Sequence, residues 1–403
     1  MRVWESARAR AVRRGGLAGA FLIGLTLSAC GPSAGDGAST VSPSVSPTIM
    51  ATPVAVPGTF VATGSMGVGR YGASAALLLD GRVLIVGGED SRAANSAELY
   101  DPQTGTFSKT GAPTVGRTGA TSIRLLDGRV LVVGGLENAT AELYDPKMGT
   151  FTATGSLPET RHFAIATLLL DGRVLITGGA TPREGMGTAT AELYDPATGQ
   201  FRATGSMHTA RINFTATLLE NGRVLVAGGQ LDAPAELYDP TSGTFATTGS
   251  MADVFSGLFA TRLADGRVLV AGDAYDQSVA ELYDPIRGTF TPTGVMSTGC
   301  DCMTSFGTSV EAPLLKDGRV LAPTMTGAGN AAALYDPISG TFSETGPMTR
   351  QRTGYTLTML ADGRVLVAGN PGVGCPMGDC PSLSPSEAAA ADANTKSAEL
   401  FIP

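Results

Sequence analysis

The stretch Leu77–Phe107, LLLDGRVLIVGGEDSRAANSAELYDPQTGTF, decides how this chain folds. It reads as two β-hairpin pieces. The apolar run from Leu77 to Leu79 meets Asp80-Gly81, read as a two-residue turn whose left-handed dihedrals favour Asp or Asn followed by Gly. A second apolar run, Val83 to Val86, is released into a loop by Gly87-Gly88. A third strand, from Ala97 to Tyr100, ends at Asp101-Pro102, and Thr104-Gly105-Thr106-Phe107 turns the chain into a fourth. Four short antiparallel strands make a sheet too small to bury its own faces, so the unit must stack against neighbours.

The unit recurs to the end of the chain. Its Asp-Gly-Arg turn starts at Asp80, Asp127, Asp171, Asn221, Asp265, Asp317 and Asp362, at spacings of 47, 44, 50, 44, 52 and 45 residues. The AELYDP segment starts at Ala97, Ala141, Ala191, Ala235 and Ala280, becomes AALYDP at Ala332, and closes the chain as AELFIP from Ala398. A Phe followed three residues later by Thr-Gly stands at positions 60, 107, 151, 201, 245, 290 and 342. The first such Phe precedes the first Asp-Gly-Arg, and none follows the last. This offset predicts ring closure, with residues 58–66 supplying the fourth strand of a blade whose other strands run from about Tyr355 to Phe401. Closure removes an exposed edge. The expected fold is an all-β, seven-bladed β-propeller of four-stranded antiparallel blades.

The repeat has no Gly-His…Trp-Asp pair. It has an apolar run, Gly-Gly, a Tyr, and an aromatic seven residues on, as in Tyr100 and Phe107 or Tyr144 and Phe151. Over residues 58–403 this resembles the kelch motif of bacterial kelch-repeat proteins and of the galactose oxidase propeller. The second aromatic is Phe where the motif usually has Trp, and the diglycine erodes to Gly272-Asp273, Thr324-Met325 and Gly369-Asn370.

Ahead of the propeller, the chain reads as anchor and stalk. Residues 1–29 pair a basic segment through Arg14 with an apolar one, Leu17 to Leu27, too short to span a membrane as a mature helix. The segment ends in Leu27-Ser28-Ala29-Cys30, which resembles the lipobox of bacterial lipoproteins, cut before a Cys that then carries lipid. Residues 30–57 are that Cys and a Pro/Ser/Thr-rich tether, whose coil spans roughly 30 Å. The implied location is outside the cytoplasm, anchored in the cell membrane. The formal charge is −8, and removal of the leader, with five Arg against Glu5, leaves about −12. An acidic body is a poor binder of phosphate backbones, so nucleic acid is not an expected partner.

Strands a and b are joined by Asp-Gly-Arg and strands c and d by Asp-Pro-x-x-Gly, so both turns share one face of the disc. Their charged residues read as structural. The d-to-a and b-to-c connections form the other face, which varies from blade to blade as recognition requires. Just before strand a, Arg70, Arg117, Arg161, Arg211 and Arg352 occupy one repeat position. They read either as a basic collar for a carboxylate or sulfate or as framework bonded to carbonyls, with framework favoured. Phe255 and, given an insertion, Cys300 take this place in the other two blades.

His162 and His208 are the only histidines. They are minor candidates for a metal, since no Tyr adjoins either, and no cofactor is expected. Cys300, Cys302, Cys375 and Cys380 sit on lengthened loops and are disulfide candidates in an exported chain. A four-thiolate or copper site there is the lesser reading. Blade six, with Pro323 in strand b and no diglycine, departs furthest from the repeat, so it and the 370–397 loop are expected to carry function. No nucleophile elbow, Walker loop or His-Glu-x-x-His is present. The expected function is a monomeric, membrane-anchored module that binds a glycan or protein. The alternative is an extracellular carbohydrate-active enzyme, either an oxidase resembling galactose oxidase or a hydrolase or isomerase.

Overall fold

The apolar runs of the repeat become the middle strands of a ring of small sheets. The computed structural model describes residues 58–88, 91–181, 187–230, 233–252, 256–274, 277–296, 310–322, 331–350, 352, 354–369 and 396–403. In the first blade the strands are a, Ser74–Leu77; b, Val83–Val86; c, Ala97–Asp101; and d, Thr106–Lys109. They pair in that order, all antiparallel. Strand b is buried along its whole length, because each blade is covered on both faces by its neighbours. A continuous apolar run, not an alternating one, is what such a strand needs.

The core lies between blades. Leu84, Val86 and Leu99 of blade one pack with Val130, Val132 and Tyr144 of blade two. Val83, Ile85 and Tyr100 point the other way and pack with Leu366, Ala368 and Leu400 of blade seven. The period of two along strand b therefore assigns alternate residues to the two neighbours.

The ring is sewn where the sequence offset places the seam. Strand Thr59–Ala62 pairs antiparallel with Ala398–Ile402, register Phe60 to Phe401, and completes the sheet of Thr356–Met359 and Val365–Ala368. Each Tyr packs on the Phe of strand d, ring centroids 4.8 Å apart for Tyr100 and Phe107.

The Thr-Gly after each Phe is an inter-blade staple. Thr63 Oγ1 meets Tyr100 Oη of the next blade at 2.8 Å, and the same bond recurs from Thr110 to Tyr144, Thr154 to Tyr194, Thr204 to Tyr238, Thr248 to Tyr283 and Thr293 to Tyr335. Gly64 donates its amide to the carbonyl of Gly105, 2.9 Å away. A Cβ on Gly64 would lie 2.3 Å from that oxygen, so only glycine fits. In the last blade Phe401 has no hydroxyl, and Thr345 turns to the amide and carbonyl of Ala332.

Two local expectations are corrected. The first strand is Ser74–Leu77, and Leu78–Leu79 belong to the turn. That turn is longer than two residues. Leu78 accepts from the Gly81 amide at 3.1 Å and donates to the Arg82 carbonyl at 2.8 Å. Gly81 has φ +87° while Asp80 is not left-handed, which is the three-residue hairpin loop with a glycine bulge. Blade six also departs from four laddered strands. Its ladder is Val320–Ala322, Ala331–Asp336 and Thr341–Pro347. The short inner strand Val310–Glu311 pairs in parallel with Phe259–Ala260 of blade five, and a single bridge from Leu314 to Val320 ties it to its own blade.

Candidate functional site

The five arginines before strand a are enclosed between strands, with side chains fully buried. Each faces the Glu of its own blade's strand c: Arg70 with Glu98, Arg117 with Glu142, Arg161 with Glu192, Arg211 with Glu236 and Arg352 with Glu399. Arg117 meets Glu142 at 2.6 Å and donates to the carbonyls of Gly134 (3.1 Å) and Thr140 (2.7 Å), the end of strand b and the start of strand c. Arg352 does the same with Glu399, Gly369 and Ser397. A buried charge survives only when paired and hydrogen-bonded in this way.

The arginine backbone completes the knot, because its carbonyl accepts from the diglycine of the preceding blade. Gly88 donates to Arg117, Gly135 to Arg161 and Gly179 to Arg211. A Cβ on Gly87 would stand 2.1 Å from the Arg117 oxygen, which is why the motif carries Gly-Gly. An anion in solvent would reach none of these guanidiniums without breaking the buried pairs.

Blade three departs from this frame. In five other blades the residue three after the staple glycine gives its amide to the strand-c Glu. Gly67 donates to Glu98 at 2.6 Å, Thr114 to Glu142 at 2.9 Å, His208 to Glu236 at 2.7 Å, Ala252 to Glu281 at 2.9 Å and Thr349 to Glu399 at 2.7 Å. Blade three has Pro158 there, and proline has no N–H. Glu192 Oε2 accordingly lacks a hydrogen bond, although Arg161 Nη1 lies 2.7 Å away in poor alignment. A second carboxylate, half-exposed Glu159, sits 3.2 Å from the same guanidinium.

The two environments separate the carboxyls. Burial pushes Glu192 up, the Arg161 charge only partly opposes it, and Glu159 adds to the rise. Burial also pushes on Glu236, but the His208 amide and ring and the Arg211 guanidinium outweigh it and hold that carboxyl below its usual range.

The same neighbourhood holds the backbone strain. Among the described residues the non-glycine positions with left-handed φ are Glu137 (57°), Phe163 (57°) and Asn213 (55°). All lie on the face of the d-to-a and b-to-c loops, in blades two, three and four. Phe163 and Asn213 occupy the place, two after the arginine, that Gly72, Gly119 and Gly354 fill elsewhere with φ of 57–63°. An aromatic residue there is a true outlier. Phe163 lays its ring against Gly119 and edge-on to His162, centroids 4.8 Å apart. Its amide donates to the Gly119 carbonyl at 2.9 Å. Beside it, Leu136 is exposed.

His162 and His208 are each engaged with their own blade. His208 is exposed, with Nδ1 2.8 Å from Glu236 Oε2. His162 pairs through its backbone with Ala180. Its Nδ1 is buried without a partner, and burial lowers its pKa. Among the described residues no three His, Cys, Asp or Glu side chains gather to hold a metal, and the repeat tyrosines Tyr100 to Tyr335 spend their hydroxyls on the staples. Among the described residues, the two histidines and these tyrosines are thus not arranged as a copper ligand set. Cys30, Cys300, Cys302, Cys375 and Cys380 lie outside the described residues, as do Phe255, Pro323 and the 370–395 part of the last long loop.

The opposite face is uniform. Arg82, Arg129, Arg173, Arg267, Arg319 and Arg364 pair with the Asp two residues before, at 2.6–2.7 Å. Asn221 offers no carboxylate, so Arg223 reaches Asp239 of the c–d turn at 3.3 Å. Some of these arginines also cross to the next blade: Arg82 donates to the Pro146 carbonyl (3.4 Å) and Arg364 to Pro102 (2.9 Å).

Sequence reasoning placed the arginines and histidines but missed Pro158, Glu159, Glu192 and Phe163. The signal was present in the repeat. Proline replaces a donor, and Phe replaces a left-handed glycine.

The Kelch motif family matches residues 70–111. No curated protein matches the chain. Among solved structures, the chain is similar to one titled as a novel fungal alcohol oxidase with catalytic diversity among the AA5 family, in complex with copper. The TM-score is 0.66 at 18% identity, covering 86% of this chain and 76% of that one. At that identity the likeness concerns the fold.

Proposed function

From the premise that the chain is a kelch-repeat β-propeller, we propose that it is a lipid-anchored binding module. It takes a glycan or protein ligand on the face built from the d-to-a and b-to-c loops. The observation that carries this is, among the described residues, the left-handed backbone of Glu137, Phe163 and Asn213 on that face in blades two to four, beside a His162 Nδ1 buried without a partner and a Glu192 Oε2 met only by Arg161. Strain and unmet polar groups persist where a function retains them. Phe163 offers an aromatic platform, and Glu159 and His208 offer exposed polar groups within the adjoining blades. The arginines, enclosed with their glutamates, serve as framework. The anchor rests on the sequence around Cys30, and the four loop cysteines remain disulfide candidates.

A glycan array probed with the full chain tests the reading. Binding that Phe163→Asn abolishes supports it, and an array and interaction screen blank at high protein concentration refutes it. The rival reading, an oxidase, is favoured only by the fold likeness to the fungal alcohol oxidase. Stoichiometric copper, with peroxide release from a sugar or alcohol, would establish it in place of the binding module.

A further inference from the structure

The loop face is one end of the disc. The other end carries the a–b and c–d turns, and the described chain begins there. Gly58 donates to the Ile402 carbonyl at 2.7 Å and accepts from Gly346 at 2.7 Å, the place that Gly105 holds in the c–d turn of blade one. The described chain therefore starts, at Gly58, on the turn face of blade seven.

The turn face is also where the apolar surface lies. Among the described residues, all but Leu136 and Val295 of the large apolar side chains that stand exposed are on it: Leu79, Leu126, Leu170, Met148, Ile286 and Ile338. Ile286 and Ile338 hold the same turn position in neighbouring blades five and six and are 94% and 96% exposed. Leu79 leans over Gly128, Leu126 over Gly172 and Leu170 over Gly222, so the leucines form an arc across consecutive blades. Solvent-facing isoleucine at turn tips has no structural use there, since the equivalent positions in blades one, three and four are Gln103, Ala197 and Thr241.

Charge on the turn face is close to balanced. The Asp of each Asp-Gly turn is matched by its Arg. With Lys147, Arg287, Arg262 and Lys316, the turn face has carboxylates and basic groups in nearly equal number. A bilayer surface would accept a nearly charge-balanced face with apolar tips.

We propose that the turn face rests on the bilayer, with Ile286, Ile338 and Met148 as outer contacts and the leucine arc as the inner one, so that the loop face points away from the membrane towards its ligand. This rests on the lipid-anchor reading. The tether, roughly 30 Å as a coil, delivers the nearest part of the disc, and the turn face is the part it is attached to. The occupant is phospholipid; a second copy or a protein is an outcome of the test.

The test compares amide hydrogen exchange of the lipidated full chain on vesicles of phosphatidylethanolamine and phosphatidylglycerol with that of the Cys30→Ala chain in buffer. Expected is a several-fold slowing in peptides spanning 285–288 and 337–340, no change in loop-face peptides around 135–140 and 160–164, and loss of the slowing in Ile286→Ser/Ile338→Ser while the chain stays on the vesicles. Equal exchange at the turns on and off vesicles overturns the proposal and leaves the anchor standing. Slowing of the loop face instead also overturns it. Turn protection in buffer that grows with protein concentration replaces the bilayer by a second copy. Should N-terminal mass spectrometry find no lipid on Cys30 while vesicles still slow the turns, the anchor reading fails and the membrane face survives on its own.

Discussion

Replacing Pro158 by Ala should stabilise the protein, and only when Glu192 is ionised. In blades one, two, four, five and seven the equivalent amide donates to the strand-c Glu over 2.6–2.9 Å; Pro158 withholds it and leaves Glu192 Oε2 with only the poorly aligned Arg161 guanidinium, 2.7 Å away. A hydrogen bond to a buried charged group contributes about 1.5–3 kcal/mol. Losing proline's restriction of the unfolded chain costs about 0.4–1 kcal/mol. The net gain is about 1–2 kcal/mol, a rise in Tm of roughly 2–4 °C at the ~2 °C per kcal/mol of a large domain.

The pH dependence follows from the direction of the shift. Glu192 titrates above its unfolded value of 4.5 in the folded protein, so between those values the native state holds more protons. Its contribution is then most favourable at low pH and is lost as pH rises through the raised folded pKa. The added amide favours the carboxylate, so the difference between variant and parent runs from a loss of about 0.4–1 kcal/mol in acid, where only the proline term remains, to the full net gain above the raised pKa. Thermal melts at pH 4 and pH 7.5, repeated in a Glu192→Gln background, measure this. A gain of equal size at both pH values, an undiminished gain in the Glu192→Gln background, or no gain at neutral pH would refute the account of Glu192.

Arg117→Met should cost about 3–5 kcal/mol by leaving Glu142 charged and buried, and adding Glu142→Leu should recover most of it, measured as urea midpoints. Gly81→Ala should cost about 1–2 kcal/mol, the penalty of a left-handed non-glycine, since nothing lies within 4 Å of the new Cβ. Gly87→Ala, aimed at the Arg117 carbonyl 2.1 Å away, should cost more than twice as much or prevent folding, compared by soluble yield and melting. Phe163→Asn, which copies Asn213, should leave stability within about 1 kcal/mol because relief of left-handed strain offsets lost ring contacts, while reducing ligand binding by the array measurement.

Much of this fold was written locally. Six Asp-Gly-Arg turns and one Asn-Gly-Arg, the AELYDP segments and the displaced Phe60 determine the blade count and the seam, because hairpin order and apolar runs are properties of neighbouring residues and the repeat multiplies them. The sequence also separated a uniform face from a variable one. What it left open depended on distances between blades. Whether Arg117 faces a channel or Glu142, why Thr-Gly follows each Phe, and why Gly87 admits no side chain all follow from contacts between residues roughly 25 to 45 positions apart, which no local pattern specifies. The turn itself was misread because Asp-Gly fits two hairpin loops, and only the Leu78–Arg82 pairing selects one. Blade three shows the limit most plainly. Pro158 and Phe163 are visible as exceptions in the repeat, but that one deprives the Glu192 carboxylate of an amide donor and the other strains the backbone became physical facts only once closing the ring had placed donor opposite acceptor.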